Sequence, residues 1–172
     1  MTNDYSTISV LVDERGVVSL RLDRAEKKNA LSALMIEELT HFASNLPKGT
    51  RVVVLSGAGD VFCAGGDLGW MKAQIDADRA TRMDEARKLA MMLNALNELD
   101  APLIGRVHGG AFGGGIGMCC VCDCVIADQG TKFGLTETRL GLIPATISPY
   151  VIARMGEGQA RRVFMSARIF SA

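Results

Sequence analysis

The chain has 172 residues, of which 48% are hydrophobic and 22% charged, a composition that supports a folded core and excludes a disordered polypeptide. Nineteen Lys plus Arg balance nineteen Asp plus Glu, so no basic surplus points to nucleic acid or to an anionic membrane surface. No apolar stretch approaches the length of a membrane span.

The N-terminus, "MTNDYSTISV", lacks a basic region followed by an apolar one and does not read as a signal peptide. The five cysteines are an odd number, and four crowd into "CCVCDC". That suits a reducing, cytoplasmic setting better than a disulfide framework.

In chain order, "ISVLVDERGVVSLRL" is two alternating apolar runs around "DERG" and predicts a β-hairpin. "SALMIEELTHFASNL" carries Met35, Leu39, Phe42, Ala43 and Leu46 at helical spacing, with Ser32 as cap and Pro47 as stop. "RVVVLSG" predicts a short buried strand, and the loop "AGDVFCAGGDL" follows. A helix over 79–99 is expected to turn Met83, Ala86, Ala90, Leu93 and Leu96 to one face, with Pro102 bounding it.

"LIGRVHG" predicts a strand, "GGGIGMCCVCD" a helix and "CVIAD" another strand. "TKFGLTETRLGLIPA" reads as loop with a short strand, and "ISPYVIARMG" and "EGQARRVFMSA" as helices. Strands alternating with helices argue for an α/β protein with crossover connections. There is no low-complexity linker and no clear internal repeat, so 1–172 reads as one domain.

Two of the strand-to-helix turns are rich in glycine: "FCAGGD" and "AFGGGIG". The second lies between an apolar strand and an apolar helix, so it belongs to the fold rather than to a linker. Glycine lets the main chain approach a ligand because it has no Cβ. At a helix start the N–H groups lack intrahelical partners. One N–H from each loop, aimed at one point, stabilises an oxyanion. A dinucleotide fingerprint is the competing explanation, but "GGGIG" lacks its spacing.

The segments "RAEKKNALS" (24–32), "VVVLSGAGDVFCAGGDL" (52–68), "VHGGAFGGGIG" (107–117) and "KFGLTETRLGLIP" (132–144) resemble, in order and spacing, the enoyl-CoA hydratase/isomerase family, the crotonases. The likeness covers nearly the whole chain. It implies an α/β spiral core of repeated β-β-α units, related to the ClpP fold, that binds an acyl-CoA thioester. It also implies that the acyl-CoA is substrate and that no cofactor or metal is required.

Residue by residue, the resemblance implies that Gly66 and Gly114 donate the two oxyanion N–H groups to the thioester oxygen as it becomes enolate-like. Losing one such donor typically costs about 3 kcal/mol of barrier. It implies that the backbone around Ala64 and the side chain of Leu68 hold the CoA adenine, and that Lys27, Lys28 and Ala30 lie along the CoA. Asp67, Met71, Gly110, Gly113 and Thr136 complete the substrate-binding set implied. Asp67 reads more readily as the cap of the following helix than as a ligand contact, the ordinary use of an aspartate at that place.

Family hydratases usually carry two glutamates. One stands in "FGxxE" and is present as Glu137; the other falls at Gly117. Two carboxylates suit hydration, because water must be oriented while a proton reaches the α-carbon. With Glu137 alone, three readings stay open. Glu137 handles both water and proton, giving a hydratase. It shuttles a proton between carbons, giving a Δ3,Δ2-enoyl-CoA isomerase. Or a polar side chain beyond the given residues replaces the missing acid. A catalytically inactive acyl-CoA-binding paralogue is the alternative of a different class.

"AFGGGIGMCCVCDCVIA" with "TETRLGLIPATISPYV" is similar to the bacterial branch that hydrates 3-methylglutaconyl-CoA and related branched enoyl-CoAs, which favours hydration. Taken alone, Glu137 reads as a surface or ion-paired carboxylate; within the motif it reads as the acid/base. Trp70 and Met71 divide between core and pocket. Cys119, Cys120, Cys122 and Cys124 lack the paired spacing of a zinc site and read as small buried residues. His41 reads as solvated, and His108 as structural. Crotonase chains normally continue past "EGQARRVFMSARIFSA" into C-terminal helices that help form trimers, often paired into hexamers. The chain therefore reads as a core cut short of that helical part, with its oligomeric state open.

Overall fold

In the computed structural model, residues 5–172 are described. Residues 1–4, where the stretch read for a leader begins, lie outside them.

The expected hairpin forms from β1 (Ile8–Val12) and β2 (Val17–Leu22), paired antiparallel with Val12 opposite Val18. The Asp13 carboxylate closes the turn by accepting the N–H groups of Arg15 and Val17, both at 2.9 Å. Helix α1 (Ala33–Ser44) begins where "LSALM" predicts, with Ser32 Oγ accepting the Met35 N–H at 3.3 Å. It ends at Asn45, two residues short of Pro47.

Strand β3 (Val52–Gly57) runs parallel to β2. It alternates between buried Val53 and Leu55 and half-buried neighbours, rather than being buried throughout as its apolar run suggests. Helices α2 (Leu68–Asp76) and α3 (Arg79–Asn97) follow, and then β4 (Leu103–Val107), parallel to β3. The glycine run contains a strand of its own, β5 (Gly110–Phe112), before α4 (Gly114–Val121).

Strands β6 (Cys124–Ala127) and β7 (Lys132–Gly134) lead to a 3-10 turn at Glu137–Leu140, then to α5 (Ser148–Met155), α6 (Glu157–Ser166) and β8 (Ile169–Ser171). The order β1-β2-α1, β4-β5-α4, β6-β7-α5 repeats a β-β-α unit. First strands and hairpin build one sheet, β1-β2-β3-β4-β6; second strands build the other, β5-β7-β8.

Leu20, Leu22 and Leu55 of the large sheet, Met35, Leu39 and Phe42 of α1, and Leu93 and Leu96 of α3 meet in one core. Each such side chain contributes about 1.5–3 kcal/mol by leaving water. The α3 face differs from expectation. Leu89, Met92, Leu93 and Leu96 are buried, whereas Met83 is half exposed and Ala86 is exposed. The buried residues of α3 all lie in its C-terminal half.

Cys63, Cys119, Cys120 and Cys122 are buried, and Cys124 is exposed. Burial pushes the thiols of Cys63 and Cys122 up to about 12 and that of Cys120 to about 11, so they stay protonated and pack as small apolar groups.

Candidate active site

The site begins with a stitched pair of loops. Cys63 donates its N–H to Gly110 O at 3.1 Å, and Phe112 donates to Cys63 O at 3.0 Å. Those two bonds lock the turn after β3 against β5, so the glycine-rich stretches run side by side. The fit leaves no room for side chains: a Cβ on Gly115 would lie 2.6 Å from Cys63 O. Gly65 and Gly113 both have positive φ, at 102° and 48°, where glycine alone is unstrained. Gly115 thus serves packing, as its place in the run suggests.

Beyond each of these glycines stands a backbone donor. Gly114 is the first residue of α4, where an N–H has no intrahelical acceptor. At Gly66, the flanking bonds Leu31 N–H to Gly65 O (2.8 Å) and Asp67 N–H to Leu31 O (2.9 Å) turn the intervening N–H away from residue 31. Among the described residues no acceptor takes either N–H. Gly66 and Gly114 line the same cavity of about 340 Å³. Two backbone donors opening on one apolar cavity can stabilise a developing oxyanion.

Glu137 lines that cavity as well. It opens the 3-10 turn after β7, and β7 pairs with β5, so the sheet register carries it to the glycine run. A Cβ on Gly113 would lie 3.1 Å from Glu137 Oε1, which puts the carboxyl beside the residue before Gly114. Its Oε2 is buried without a hydrogen-bond partner. Burial raises its affinity for a proton above that of an ordinary glutamate. It is not the ion-paired surface carboxylate that the residue alone suggests.

Gly117 is buried in α4. A Cβ there would fall 2.6 Å from Ile147 Cγ2 and 3.0 Å from Ile147 Cβ. Position 117 is therefore closed by α5's leading residue, and no carboxylate fits without moving it.

Asp67 caps α2, accepting from Gly69 N–H at 2.8 Å and Trp70 N–H at 3.1 Å, and pairs with Arg24 at 3.1 Å. Trp70's N–H first, with Arg24 adding to it, holds the carboxyl below the usual range. Its carboxylate is committed to the helix start and to Arg24, as the cap reading expects, and Asp67 does not line the cavity.

Met71 does line the cavity, and its Sδ would lie 3.1 Å from a Cβ on Gly66. Trp70 lines it too and donates from Nε1 to Glu85 at 2.7 Å. Gly110 instead packs its Cα face on the Phe112 ring, and Thr136 precedes the 3-10 turn; neither lines the cavity.

Lys27, Lys28, Ala30, Ala64 and Leu68 lie outside the cavity. They nonetheless share one rim: Ala64 donates its N–H to Lys28 O at 3.0 Å, and Leu68, exposed, opens α2. Asn29 fixes that rim. It is fully buried in a left-handed conformation, donates to Ala58 O at 2.8 Å and Val61 O at 2.9 Å, and accepts from the Arg24 N–H. Asparagine tolerates that backbone better than most residues. His108, at the end of β4, makes the structural bond expected of it, 2.7 Å to Gly59 O. His41 is exposed on α1 and bonds the Tyr5 hydroxyl at 2.9 Å.

Gln74, Arg82 and Glu85 also line the cavity and were not singled out from the sequence. Helical spacing held the signal: 70, 71 and 74 share one face of α2, and 82, 85, 86 and 89 share one face of α3. Glu85 is held by Lys88 at 2.7 Å and by Trp70, which together keep it ionised.

Comparison with known proteins identifies the family and fold. The enoyl-CoA hydratase/isomerase family profile matches residues 13–172. The chain is 32% identical over 160 residues to an enoyl-CoA hydratase of Alternaria alternata, covering 92% of this chain and 52% of that protein. It is 31% identical over 173 residues to the mitochondrial methylglutaconyl-CoA hydratase of Mus musculus, covering 98% of this chain and 54% of that protein. The crystal structure of an enoyl-CoA hydratase from Shewanella pealeana superposes with a TM-score of 0.94 at 36% identity, over 98% of this chain and 64% of that one. Pseudomonas aeruginosa AtuE superposes at 0.92 with 34% identity, over 96% and 65%. The chain spans about half the length of those curated relatives and just under two thirds of those solved chains. With the fold, the paired glycine loops and the matched profile in agreement, the chain belongs to the enoyl-CoA hydratase/isomerase family, the crotonases, and has the crotonase fold.

Proposed function

We propose that the protein is an enoyl-CoA hydratase, a hydro-lyase that adds water to a 2-enoyl-CoA through a thioester enolate. Gly66 and Gly114 hold the enolate oxygen, and Glu137 takes a proton from water and returns it to the α-carbon. The observation that carries this reading is Glu137 Oε2, buried and unpaired in the cavity on which both glycine N–H groups open. A carboxyl whose proton affinity is raised by burial is suited to both halves of that transfer.

The acyl group in this reading is of the 3-methylglutaconyl type. Arg82 supports it, as a cation on the cavity wall that a second carboxylate would face. Lys27, Lys28, Ala30, Ala64 and Leu68 form the rim along which the CoA would lie. Acyl-CoA is substrate, and the reaction needs no cofactor or metal. The reading includes a homotrimer, or a hexamer built from two, and a cytoplasmic setting; no helix among the described residues is long and apolar enough to cross a membrane.

One observation favours a second reading. Position 117 has no room for a second acid, and one carboxylate suffices to move a proton between two carbons. That is Δ3,Δ2-enoyl-CoA isomerisation. The test is to offer crotonyl-CoA, 3-methylglutaconyl-CoA and a 3-enoyl-CoA to the complete protein. Hydration predicts loss of the conjugated enoyl-thioester absorbance with the first two. An unchanged absorbance there, with the 3-enoyl-CoA rearranged, overturns hydration in favour of the isomerase. No turnover of any of the three, with acyl-CoA still bound, leaves an inactive paralogue.

A further inference from the structure

Two buried side-chain oxygens among the described residues have no hydrogen-bond partner: Oε2 of Glu137 and Oε1 of Gln74. A buried polar atom left unpaired loses its hydrogen bonds to water and gains none in return. Folded chains keep few of them, and each asks for an explanation. These two line one cavity. Most of the remaining wall is carbon, from residues such as Leu31, Leu89, Leu142, Ile143 and Ile147.

The local structure explains how Gln74 comes to be there. Asp67 caps α2 and is itself held by Arg24, which fixes where the helix starts. From that start, Met71 packs under Gly66, and Gln74 follows three residues later on the same face. Trp70, on the adjoining row, is tied to Glu85 of α3, so α2 is anchored at this level too. The other polar groups of the wall are less suited to the task. Glu85 already accepts from Trp70 and Lys88, each at 2.7 Å. Arg82 has donors only and accepts nothing.

We propose that Gln74 is the second polar group of the hydration site: its Oε1 accepts one hydrogen of the attacking water while Glu137 accepts the other. This rests on the hydratase reading. The water oxygen forms a bond to the β-carbon as the π pair moves toward the α-carbon, and the thioester oxygen takes up the enolate charge at Gly66 and Gly114. The proton released by water goes to Glu137. Glu137 then passes it to the α-carbon and the enolate collapses to the thioester. Water has then added across the double bond with no atom or electron unaccounted for. The Gln74 amide exchanges no proton. It aims the water's lone pair at the β-carbon, which a neutral acceptor on an anchored helix does without adding a second negative charge beside Glu137.

The experiment compares two reactions of the same protein. One is hydration of an enoyl-CoA. The other is exchange of the α-hydrogens of butyryl-CoA with deuterated water, which needs Glu137 and the two N–H groups but no attacking water. Gln74→Leu is expected to lower the kcat of hydration about 100-fold while KM and the exchange rate move by no more than about threefold. Gln74→Glu, which keeps an acceptor but adds a second negative charge beside Glu137, is expected to retain more hydration than Gln74→Leu and less than wild type. Hydration and exchange falling together in Gln74→Leu would mean a structural role and overturn the proposal. Unchanged hydration in Gln74→Leu overturns it as well. Wild-type protein that exchanges butyryl-CoA yet hydrates no enoyl-CoA overturns the hydratase reading itself, and the proposal with it.

Discussion

The cavity has two unlike sides. On one, Gly117 is pressed against Ile147, and even a methyl group at 117 would collide at 2.6 Å. On the other, Glu137 carries a buried carboxyl oxygen that meets no partner. Both positions are where the family pattern puts a glutamate, and both are reached by the same β-β-α repeat. The difference lies in what packs behind them. Behind 117 the start of α5 fills the space; before 137 the glycine run leaves it open. A lost acid is thus not an empty place in this protein. An aliphatic side chain, Ile147, fills the space.

Three changes probe that contrast. The largest effect is expected on the glycine side that both positions share. Gly114→Pro removes one N–H outright, yet proline is well tolerated at the first residue of a helix. Hydration should fall about 100- to 1,000-fold, with the melting temperature lowered only by what it costs to move the Leu31 methyl that an added Cβ would meet at 2.8 Å. A rate within a few-fold of wild type would mean that Gly114 is not a donor.

The next effect is on stability. Gly117→Glu, which writes the second family acid into the chain, must displace Ile147. Overpacking of that kind costs about 1–3 kcal/mol, and burying a charge adds to it. A chain of this size then melts lower by about 2–4 °C for each kcal/mol. Calorimetry showing no loss would mean that α5 yields easily and the side is not closed. Gly117→Glu with Ile147→Ala should recover part of the loss, because the two sites touch.

The smallest effect is on pH dependence. Glu137 must be ionised to take a proton from water, and burial raises the pH at which it ionises. The acid limb of kcat/KM should therefore lie above the value of about 4.3 for a free glutamate. The sign for folding runs the other way. A carboxyl whose proton is held more tightly in the folded chain favours folding at low pH, and that advantage is lost as pH rises through its folded pKa. Replacing Glu137 by Gln should thus flatten the stability curve above pH 4 without steepening it.

Much of this was legible in local pattern. The hairpin, the Ser32 cap and the glycine turns announce themselves within a few residues, because each depends on neighbours in sequence. The family motifs carried Gly66, Gly114 and Glu137, three residues that the fold brings to one cavity. What was not legible depends on distant contacts. Strands β5 and β8 are three residues each and are held by pairing with β7 and, for β5, with Cys63, all distant in sequence. The first half of α3 lies outside the core: Met83 is half exposed and Ala86 is an exposed part of the cavity wall, a difference that periodicity does not report. The cap role of Asp67 is legible locally, whereas its pairing with Arg24, 43 residues earlier, is a distant contact. Closure of position 117 is a contact with residue 147, which no spacing rule reports. Gln74 lay within reach of helical spacing from the Asp67 cap, but its significance depends on the buried, unpaired state of its oxygen.

The most direct test is Glu137→Gln, measured for hydration of 3-methylglutaconyl-CoA and for acyl-CoA binding in the same preparation. The account predicts that hydration falls by about 1,000-fold or more while binding stays within a few-fold. Retained hydration in that variant would contradict it, since no other carboxylate of the cavity wall is free to take the proton.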